Sequence, residues 1–184
     1  MNAPDDVRRS LLLGMGGLAM SSAIPGLPAA AQQTSKQGGA LDPQQGEHLI
    51  HFRDGGDIFI KVSPTTTGSE HLAIGTQQIK VGTGVPIHRH PEMEESFYVL
   101  DGNGFFLLED ERHPIQQGSS IFIPKKHWHG FANPDHELLL LWIVSPTGLD
   151  SFFRETCSPP GTPPKQLTRD QIRQIALKYG TEFR

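Results

Sequence analysis

Three histidines and one glutamate fall at spacings that could hold a metal ion. His88 and His90 are two residues apart, Glu95 follows five residues later, and His129 lies much further along the chain. Imidazole nitrogens together with a carboxylate oxygen suit a borderline divalent transition metal. Four protein ligands on an octahedral ion leave two positions for water, dioxygen or substrate, and such open sites are more often catalytic than structural.

Strand geometry explains how these side chains could meet. Successive side chains of a β-strand point to opposite faces, so His88 and His90 can face one interior. Glu95 begins the next strand, and Phe97 and Val99 share its parity, which predicts that they line the same cavity. His129, the fourth candidate ligand, comes from a strand that is distant in the sequence. Only a folded barrel can bring it close to the other three.

Some neighbouring residues compete for the same roles. Glu94 is the rival to Glu95, and strand parity favours Glu95. His127 shares the parity of His129, which leaves open a place for it in the cavity wall. We expect Arg89 to lie at the barrel mouth, in solvent. A buried group of unpaired imidazoles and a carboxylate would be costly without a cation, which favours a metal site.

Composition limits the class of protein. The chain has 184 residues and a formal net charge of -4, without a long basic run, so nucleic acid is not an expected partner. The single cysteine, Cys157, excludes an intramolecular disulfide and a cysteine-based zinc site. We expect an inert thiol there rather than a nucleophile. The 20 glycines and 15 prolines suit many short strands and turns.

The first 31 residues predict an export signal rather than part of the fold. Arg8 and Arg9 precede an apolar stretch, and small residues ending at Ala31 suit a cleavage site. The paired arginines resemble a twin-arginine signal. The alternative, a membrane anchor, is disfavoured because the stretch is short and rich in Gly and Ser. We therefore expect a periplasmic mature chain with a flexible lead-in over 32–46 and no membrane span.

The middle of the chain predicts an all-β domain over 47–145. Short apolar runs are broken there by Gly, Pro and Asp. The predicted strands are 48–53, 58–62, 71–81, 96–100, 105–109, 120–123, 128–132 and 138–144. The predicted turns are 54–56, 101–104 and 109–111. About eight strands at this spacing favour a closed or sandwiched antiparallel sheet, and the lack of helical periodicity disfavours an α/β fold.

Residues 146–184 predict a short helical extension. Thr147 can cap a first helix that runs to Phe153. A second helix over 169–179 starts at a capping box and carries one apolar face. That box and face consist of Thr168 with Gln171, and of Ile172, Ile175, Ala176 and Tyr179. The face is expected to pack on the barrel wall or on a second subunit, so a homodimer is one expected assembly.

The two segments that carry the histidines resemble the two sequence motifs of the cupin superfamily. The first motif, G-x5-H-x-H-x(3,4)-E-x6-G, is met in full by Gly82, His88, His90, Glu95 and Gly102. The second, G-x5-P-x-G-x2-H-x3-N, is met by Gly118, Pro124, His129 and Asn133. Lys126 stands where the second motif has glycine, so it must tolerate that backbone or the turn differs. The resemblance covers roughly 47–145.

The resemblance implies a single cupin barrel of jelly-roll type, often dimeric, that binds Mn, Fe, Ni, Cu or Zn through His88, His90, Glu95 and His129. Manganese or iron is favoured, because a twin-arginine substrate folds before it reaches the periplasm and its copper. In quercetin dioxygenase-like cupins, which carry this ligand set, the glutamate can also act as a base. By that resemblance Glu95 is a catalytic residue as well as a metal ligand.

The implied activity is that of a metal-dependent dioxygenase, an oxidoreductase, acting on a small-molecule substrate. Apolar residues of cavity parity suit a partly apolar phenolic or enolisable compound. Two other classes stay open: non-redox isomerisation, decarboxylation or lyase chemistry with the metal as Lewis acid, and non-catalytic binding of a metal or small molecule.

Overall fold

The computed structural model describes residues 38–184, and the predicted signal segment 1–31 lies outside the described residues. The strands are β1 (Glu47–Ile50), β2 (Asp57–Val62), β3 (Ala73–Ile79), β4 (Val85–Arg89), β5 (Glu94–Leu108), β6 (Glu111–Gln116), β7 (Ser120–Ile123), β8 (His129–Ala132), β9 (Leu138–Ser145) and β10 (Glu182–Phe183). The helices are α1 (Leu149–Thr156) and α2 (Arg169–Lys178). Neither of these helices is long and apolar enough to cross a membrane.

The strands form one antiparallel sheet, which confirms the predicted all-β class. Its hydrogen-bonded order is β1-β2-β3-β9-β5-β8-β4-β10, and β6 and β7 also pair with β5. The path ends at β1 and β10 rather than closing on itself. β1 to β9 occupy the stretch expected to form the barrel, and the two helices follow it, as predicted.

β5 is the spine of the sheet, because it pairs with four other strands. Its first half pairs with β7 and β9, and its second half with β6 and β8. The turn predicted at 101–104 is therefore wrong, since the strand runs through it. The register against β9 shifts between Val99 and Asp101, and Gly102 has a φ of 85°. A bulge that needs glycine has the same sequence signature as a turn.

The core lies on the inner face of the central strands. In β9, buried and more exposed residues alternate, and the buried ones are Leu138, Leu140, Trp142 and Val144. In β3 the same alternation buries Ala73, Gly75, Gln77 and Ile79. This period of two is that of strands with one face against a core. The sheet thus has an apolar interior into which a polar site must be built.

The two helices begin differently from each other. α2 starts with the predicted capping box: the Gln171 amide donates to Thr168 Oγ1 over 3.2 Å, and the Thr168 amide donates to Gln171 Oε1 over 2.8 Å. The predicted cap of α1 at Thr147 is wrong, because the N-cap is Gly148 and makes no side-chain cap hydrogen bond. The Gly148 amide instead donates to Asp150 Oδ1 over 3.1 Å.

The apolar face of α2 packs on its own chain. Ala176 is fully buried, and the other three residues of the face, Ile172, Ile175 and Tyr179, are partly buried against the core. Of the two expected sites for this face, the structure shows the one within the chain. The helix is followed by Gly180, at a φ of 73°, where the chain turns back towards β10.

Two glycines of the motif segments provide a matched test of this fold. Both have positive φ, but a Cβ at Gly102 would lie 1.9 Å from the Glu137 carbonyl oxygen, whereas at Gly118 the nearest atom, the Tyr98 hydroxyl, is 3.9 Å away. We expect Gly118→Ala to lower the free energy of unfolding by about 1–2 kcal/mol through backbone strain alone. Gly102→Ala should cost about 3 kcal/mol or more, since overpacking adds to the strain. Denaturant titration of both variants checks this, and equal losses would contradict the described bulge.

Candidate metal centre

The four side chains predicted to bind metal come together in the interior. One ligand atom from each of His88, His90, Glu95 and His129 lies within 4.8 Å of the others. All four residues are buried, with exposed fractions of 7% for His88, 2% for His90 and Glu95, and 0% for His129. A buried His-His-Glu-His cluster of this kind suits a divalent metal ion.

Strand pairing brings these residues together from separate parts of the sequence. His88 on β4 lies opposite His129 on β8 in the antiparallel register, with ring centroids 4.2 Å apart. His90 follows β4 directly, and its ring lies 5.1 Å from that of His88. Glu95 lies near the start of β5, between its partners on β7 and β9. The strands β4, β5 and β8, together with the segment that follows β4, therefore position the four side chains.

Each imidazole is held by its Nδ1 atom. Nδ1 of His88 lies 2.8 Å from the Pro86 carbonyl oxygen, and Nδ1 of His129 lies 2.9 Å from the His127 carbonyl oxygen. Nδ1 of His90 lies 3.2 Å from the carbonyl oxygen of Gly180. A carbonyl oxygen only accepts, so each Nδ1 must carry the proton and donate it. In a neutral ring the other nitrogen, Nε2, then presents a lone pair.

The Nε2 atoms face a carboxylate, which also presents only lone pairs. Glu95 Oε2 lies 3.0 Å from Nε2 of His129 and 3.3 Å from Nε2 of His90. Nε2 of His90 is buried and makes no hydrogen bond. Lone pairs packed against one another repel unless a proton or a metal cation lies between them. The donor set therefore fits a divalent cation, and the carbonyl-held Nδ1 atoms match the usual outer support of metal-binding histidines.

Neighbouring groups within the cluster shift the pKa values of its side chains. Burial alone would raise the pKa of Glu95, but the charge of His90 and contacts with His129 and His90 hold that pKa well below its usual range. Burial lowers the pKa of His88 strongly, and the neighbouring His129 and His90 lower it further. Burial lowers the pKa of His90, but the neighbouring carboxylate of Glu95 outweighs burial and raises it. Glu95 and His88 are therefore held in the forms that bind metals, whereas His90 must release its proton when a metal binds.

The structure separates Glu95 from its rival. Glu94 is exposed on the opposite face of β5, whereas Glu95 is buried in the cluster. Phe97 and Val99 are buried on the Glu95 face, as strand parity predicted. His127 does not reach the cavity: its side chain is exposed and lies 3.3 Å from Glu109 Oε1. The contribution of His127 to the site is its backbone carbonyl, which accepts a hydrogen bond from Nδ1 of His129.

Lys126 adopts the conformation that the motif glycine would supply. Its φ is 74°, in the left-handed region that side chains rarely occupy. Its amide donates to the His90 carbonyl oxygen over 2.8 Å. The departure from the motif is therefore tolerated at a cost in backbone strain, and the loop before His129 is tied to His90.

The C-terminal segment belongs to the site, and the sequence pattern did not indicate it. Thr181 Oγ1 lies 3.1 Å from Nδ1 of His90, beside the carbonyl of Gly180. Phe183 on β10 pairs with His88 on β4, and their rings are 5.8 Å apart. A two-residue strand is too short to show periodicity, so no sequence signal could have found it.

The same segment corrects the expectation for Arg89. Its guanidinium is not free in solvent, because Nε donates to Glu182 Oε2 over 2.7 Å. The guanidinium also lies over the ring of Trp128, 4.5 Å from its centroid. Arg89 therefore fastens β10 to β4 beside the histidines.

A cavity of about 420 Å³ adjoins the cluster, and His88 and Glu95 form part of its wall. Most of the other lining residues are apolar. They are Phe52, Val85, Pro86, Phe97, Phe131, Leu149, Phe152, Phe153, Ile172 and Phe183. This volume lies within the range of sites for small organic molecules.

Cys157, by contrast, is not part of the His-Glu cluster. It is 1% exposed, and burial raises the pKa of its thiol to about 11. Such a thiol stays protonated at neutral pH, in agreement with the expected inert cysteine.

Comparison with known proteins places the β-sheet domain in a family. The model of the cupin domain matches residues 75–145. Protein SchB of Streptomyces halstedii is 35% identical over 95 residues, which cover 51% of this chain and 69% of SchB. Polyketide synthase CurC of Streptomyces cyaneus is 30% identical over 93 residues, which cover 50% of this chain and 60% of CurC. The solved structure of the polyketide cyclase RemF from Streptomyces resistomycificus has a TM-score of 0.52 at 20% identity, over 74% of this chain and 92% of RemF.

A pair of alanine variants tests whether this cluster binds metal. We expect His129→Ala to lose most bound metal, because it removes an imidazole that strand pairing holds opposite His88. Glu94→Ala should keep occupancy near that of the unmodified protein, since the side chain points to solvent. Elemental analysis of the purified variants measures both. Loss of metal from Glu94→Ala with retention in Glu95→Ala would contradict the register of β5.

A second variant tests the role of the C-terminal segment. Thr181→Val removes the hydroxyl beside Nδ1 of His90 but leaves the Gly180 carbonyl in place. Changes to such outer partners weaken metal binding by about 10–100-fold, and we expect about tenfold here because one acceptor remains. Competition with a metal-sensing chelator measures the affinity. Thr162→Val is the control, since its hydroxyl donates to the Pro159 carbonyl in the linker; equal affinities in both variants would contradict the assigned role.

Proposed function

The chain belongs to the cupin superfamily, and we propose that it is a metal-dependent dioxygenase acting on a small, partly apolar phenolic or enolisable substrate. The observation that supports this most is the complete set of three histidines and one glutamate beside an apolar cavity. A divalent transition-metal ion, when bound by that set, supplies a Lewis-acidic and redox-active centre for a reaction between substrate and dioxygen.

The histidines keep the site in one geometry. Their Nδ1 atoms are fixed by the carbonyls of Pro86, Gly180 and His127, so the rings cannot rotate freely. Ligands held in this way need little reorganisation when a metal binds. The antiparallel pairing of β4 with β8 supplies the same rigidity at the backbone. Rigid elements of this kind position reacting groups more closely than loops do.

Glu95 is placed to take a proton from the substrate. Its carboxylate lines the cavity, and a carboxylate is ionised at neutral pH. A phenolic or enolic hydroxyl within hydrogen-bond reach would transfer its proton to a carboxylate oxygen and keep the electron pair on its own oxygen. Glu95 thus has a second role besides holding a metal.

The cavity wall suits an aromatic ring. Phe97 packs edge-on against Phe131, with centroids 4.9 Å apart, and Phe152 and Phe153 line the same space. These side chains exclude water from the site and favour poorly hydrated substrates. A cavity of about 420 Å³ has room for a compound of one or two rings.

A non-redox reaction is the second candidate, and one comparison favours it. CurC, at 30% identity, is named a polyketide synthase, and polyketide intermediates are enolisable. The same site could then catalyse an isomerisation or lyase step, with the metal as Lewis acid and Glu95 as the base. This alternative uses the same residues but requires no dioxygen.

Oxygen consumption separates the two candidates. We expect protein loaded with iron or manganese to consume dioxygen when mixed with a member of a panel of phenols and diketones. The rate should fall by about a hundredfold or more in His129→Ala, since loss of a ligand costs at least as much as loss of its support. An oxygen electrode and product analysis provide the measurement.

Glu94→Gln is the matched control and should consume oxygen at the unmodified rate, because its side chain is exposed. Product formation at an unchanged rate without oxygen would reject the dioxygenase and support the non-redox candidate. Tight binding of the panel without turnover in either condition would reject both.

A further inference from the structure

The cavity beside the metal centre carries an excess of positive charge. Among the described residues that line it, four are arginines, and Glu95 of the cluster is the one acidic side chain. The arginines are Arg53, Arg169, Arg173 and Arg184. The whole chain has a formal net charge of -4, so general basicity does not explain this concentration. Positive charge along the wall of a cavity attracts anions.

Arg53 is the most buried of the four and is incompletely paired. Its Nη2 lies 3.4 Å from Asp54 Oδ2, but its Nε is buried and has no hydrogen-bond partner among the described residues. Asp54 is also engaged by the backbone amides of Gly56 and Lys80. Burial lowers the pKa of Arg53 despite the nearby carboxylate. A ligand oxygen at Nε would supply the missing hydrogen bond.

Arg169 and Arg173 lie at positions that are unfavourable for the stability of α2. They lie four residues apart on α2 and both line the cavity, with Ile172 between them. Like charges at this spacing repel, and a cation in the first helical turn opposes the helix dipole. Within residues 38–184, the Arg173 guanidinium makes a single hydrogen bond, from Nη2 to the backbone oxygen of Arg184 at 3.5 Å. Both guanidinium groups are therefore available to an anion.

Arg184, in the C-terminal segment, is the fourth arginine of the cavity lining. Its amide donates to the Ile87 carbonyl oxygen, which ties it to the strand that carries His88. Its side chain is half-exposed and lies 3.8 Å from the exposed Asp110, a distance typical of a weak surface ion pair. The four arginines thus come from three parts of the chain, the loop after β1, α2 and the residue after β10, and all line one cavity.

We propose that the cavity binds an organic acid, whose carboxylate is held by these arginines while its apolar body lies against the phenylalanine wall. Guanidinium groups match carboxylates in shape and can donate two parallel hydrogen bonds. The proposal deepens the proposed function, since it rests on that reaction for the role of the acid as substrate. Acid binding itself can be measured without turnover.

The first arm of the test compares acids with neutral analogues. The full-length protein is loaded with zinc, which is redox-inert and so prevents oxidation. Hydroxybenzoic and hydroxynaphthoic acids, each paired with its primary amide, are titrated by calorimetry. We expect at least one acid to bind tenfold or more tightly than its amide. The affinity of the acid should fall as ionic strength rises, while that of the amide stays constant.

The second arm removes the charges. The double variant Arg169→Gln/Arg173→Gln should weaken acid binding tenfold or more and leave amide binding unchanged; both residues are exposed on α2, so the fold should survive. Arg53→Gln should act in the same direction, with its melting temperature measured alongside. Lys125→Gln is the control, because it removes one exposed charge outside the cavity lining.

The outcomes distinguish this inference from the proposed function. Tight, arginine-dependent acid binding without oxygen uptake by the iron- or manganese-loaded protein would support the inference and reject the dioxygenase. Equal binding of acids and amides, or equal loss in Lys125→Gln and the double variant, would overturn the inference whatever the oxygen uptake. Inorganic phosphate that binds as tightly as the acids would also overturn it, since the aromatic body would then contribute nothing.

Discussion

The structure depends on one electrostatic constraint: three imidazoles and a carboxylate are buried so that their lone pairs converge. His88, His90 and His129 donate their Nδ1 protons outwards to carbonyls, and Nε2 of His90 and of His129 lies against the carboxylate of Glu95. Burying such groups without a cation or an extra proton is unfavourable. A divalent metal would remove that cost, and the surrounding sheet holds the four groups in an arrangement that suits one.

The sheet, the loops and the C-terminal segment all help to hold the four buried side chains together. β4 and β8 place two imidazoles opposite each other, the left-handed turn at Lys126 ties its loop to the His90 carbonyl, and β10 brings Thr181 to the other side of His90. Support therefore comes from residues more than 90 positions apart in the sequence. The apolar wall and the arginines then form a cavity against the same cluster. One arrangement of strands thus produces both a cluster that suits a divalent metal and the cavity in which we propose that a partly apolar acid binds.

Much of this could be predicted from the sequence, because the signals were local. The period of two assigned Glu95 and Phe97 to the inner face, and the Thr168 capping box marked the start of α2. The rest depended on tertiary context. β6 is a polar, mostly exposed edge strand without alternation, and β5 passes through a glycine bulge that resembles a turn. The approach of the C-terminal segment to His90 joins distant residues, so no local pattern could indicate it.

The central claim is that the four buried side chains bind one metal ion together, and X-ray absorption at the metal edge tests it most directly. Spectra of the purified, metal-loaded full-length protein should show three imidazole scatterers with nitrogen at about 2.0–2.2 Å and at least one oxygen ligand in the same shell. The metal that His129→Ala still retains should show one imidazole fewer. A spectrum with fewer than two imidazoles, or one that His129→Ala leaves unchanged, would contradict the account.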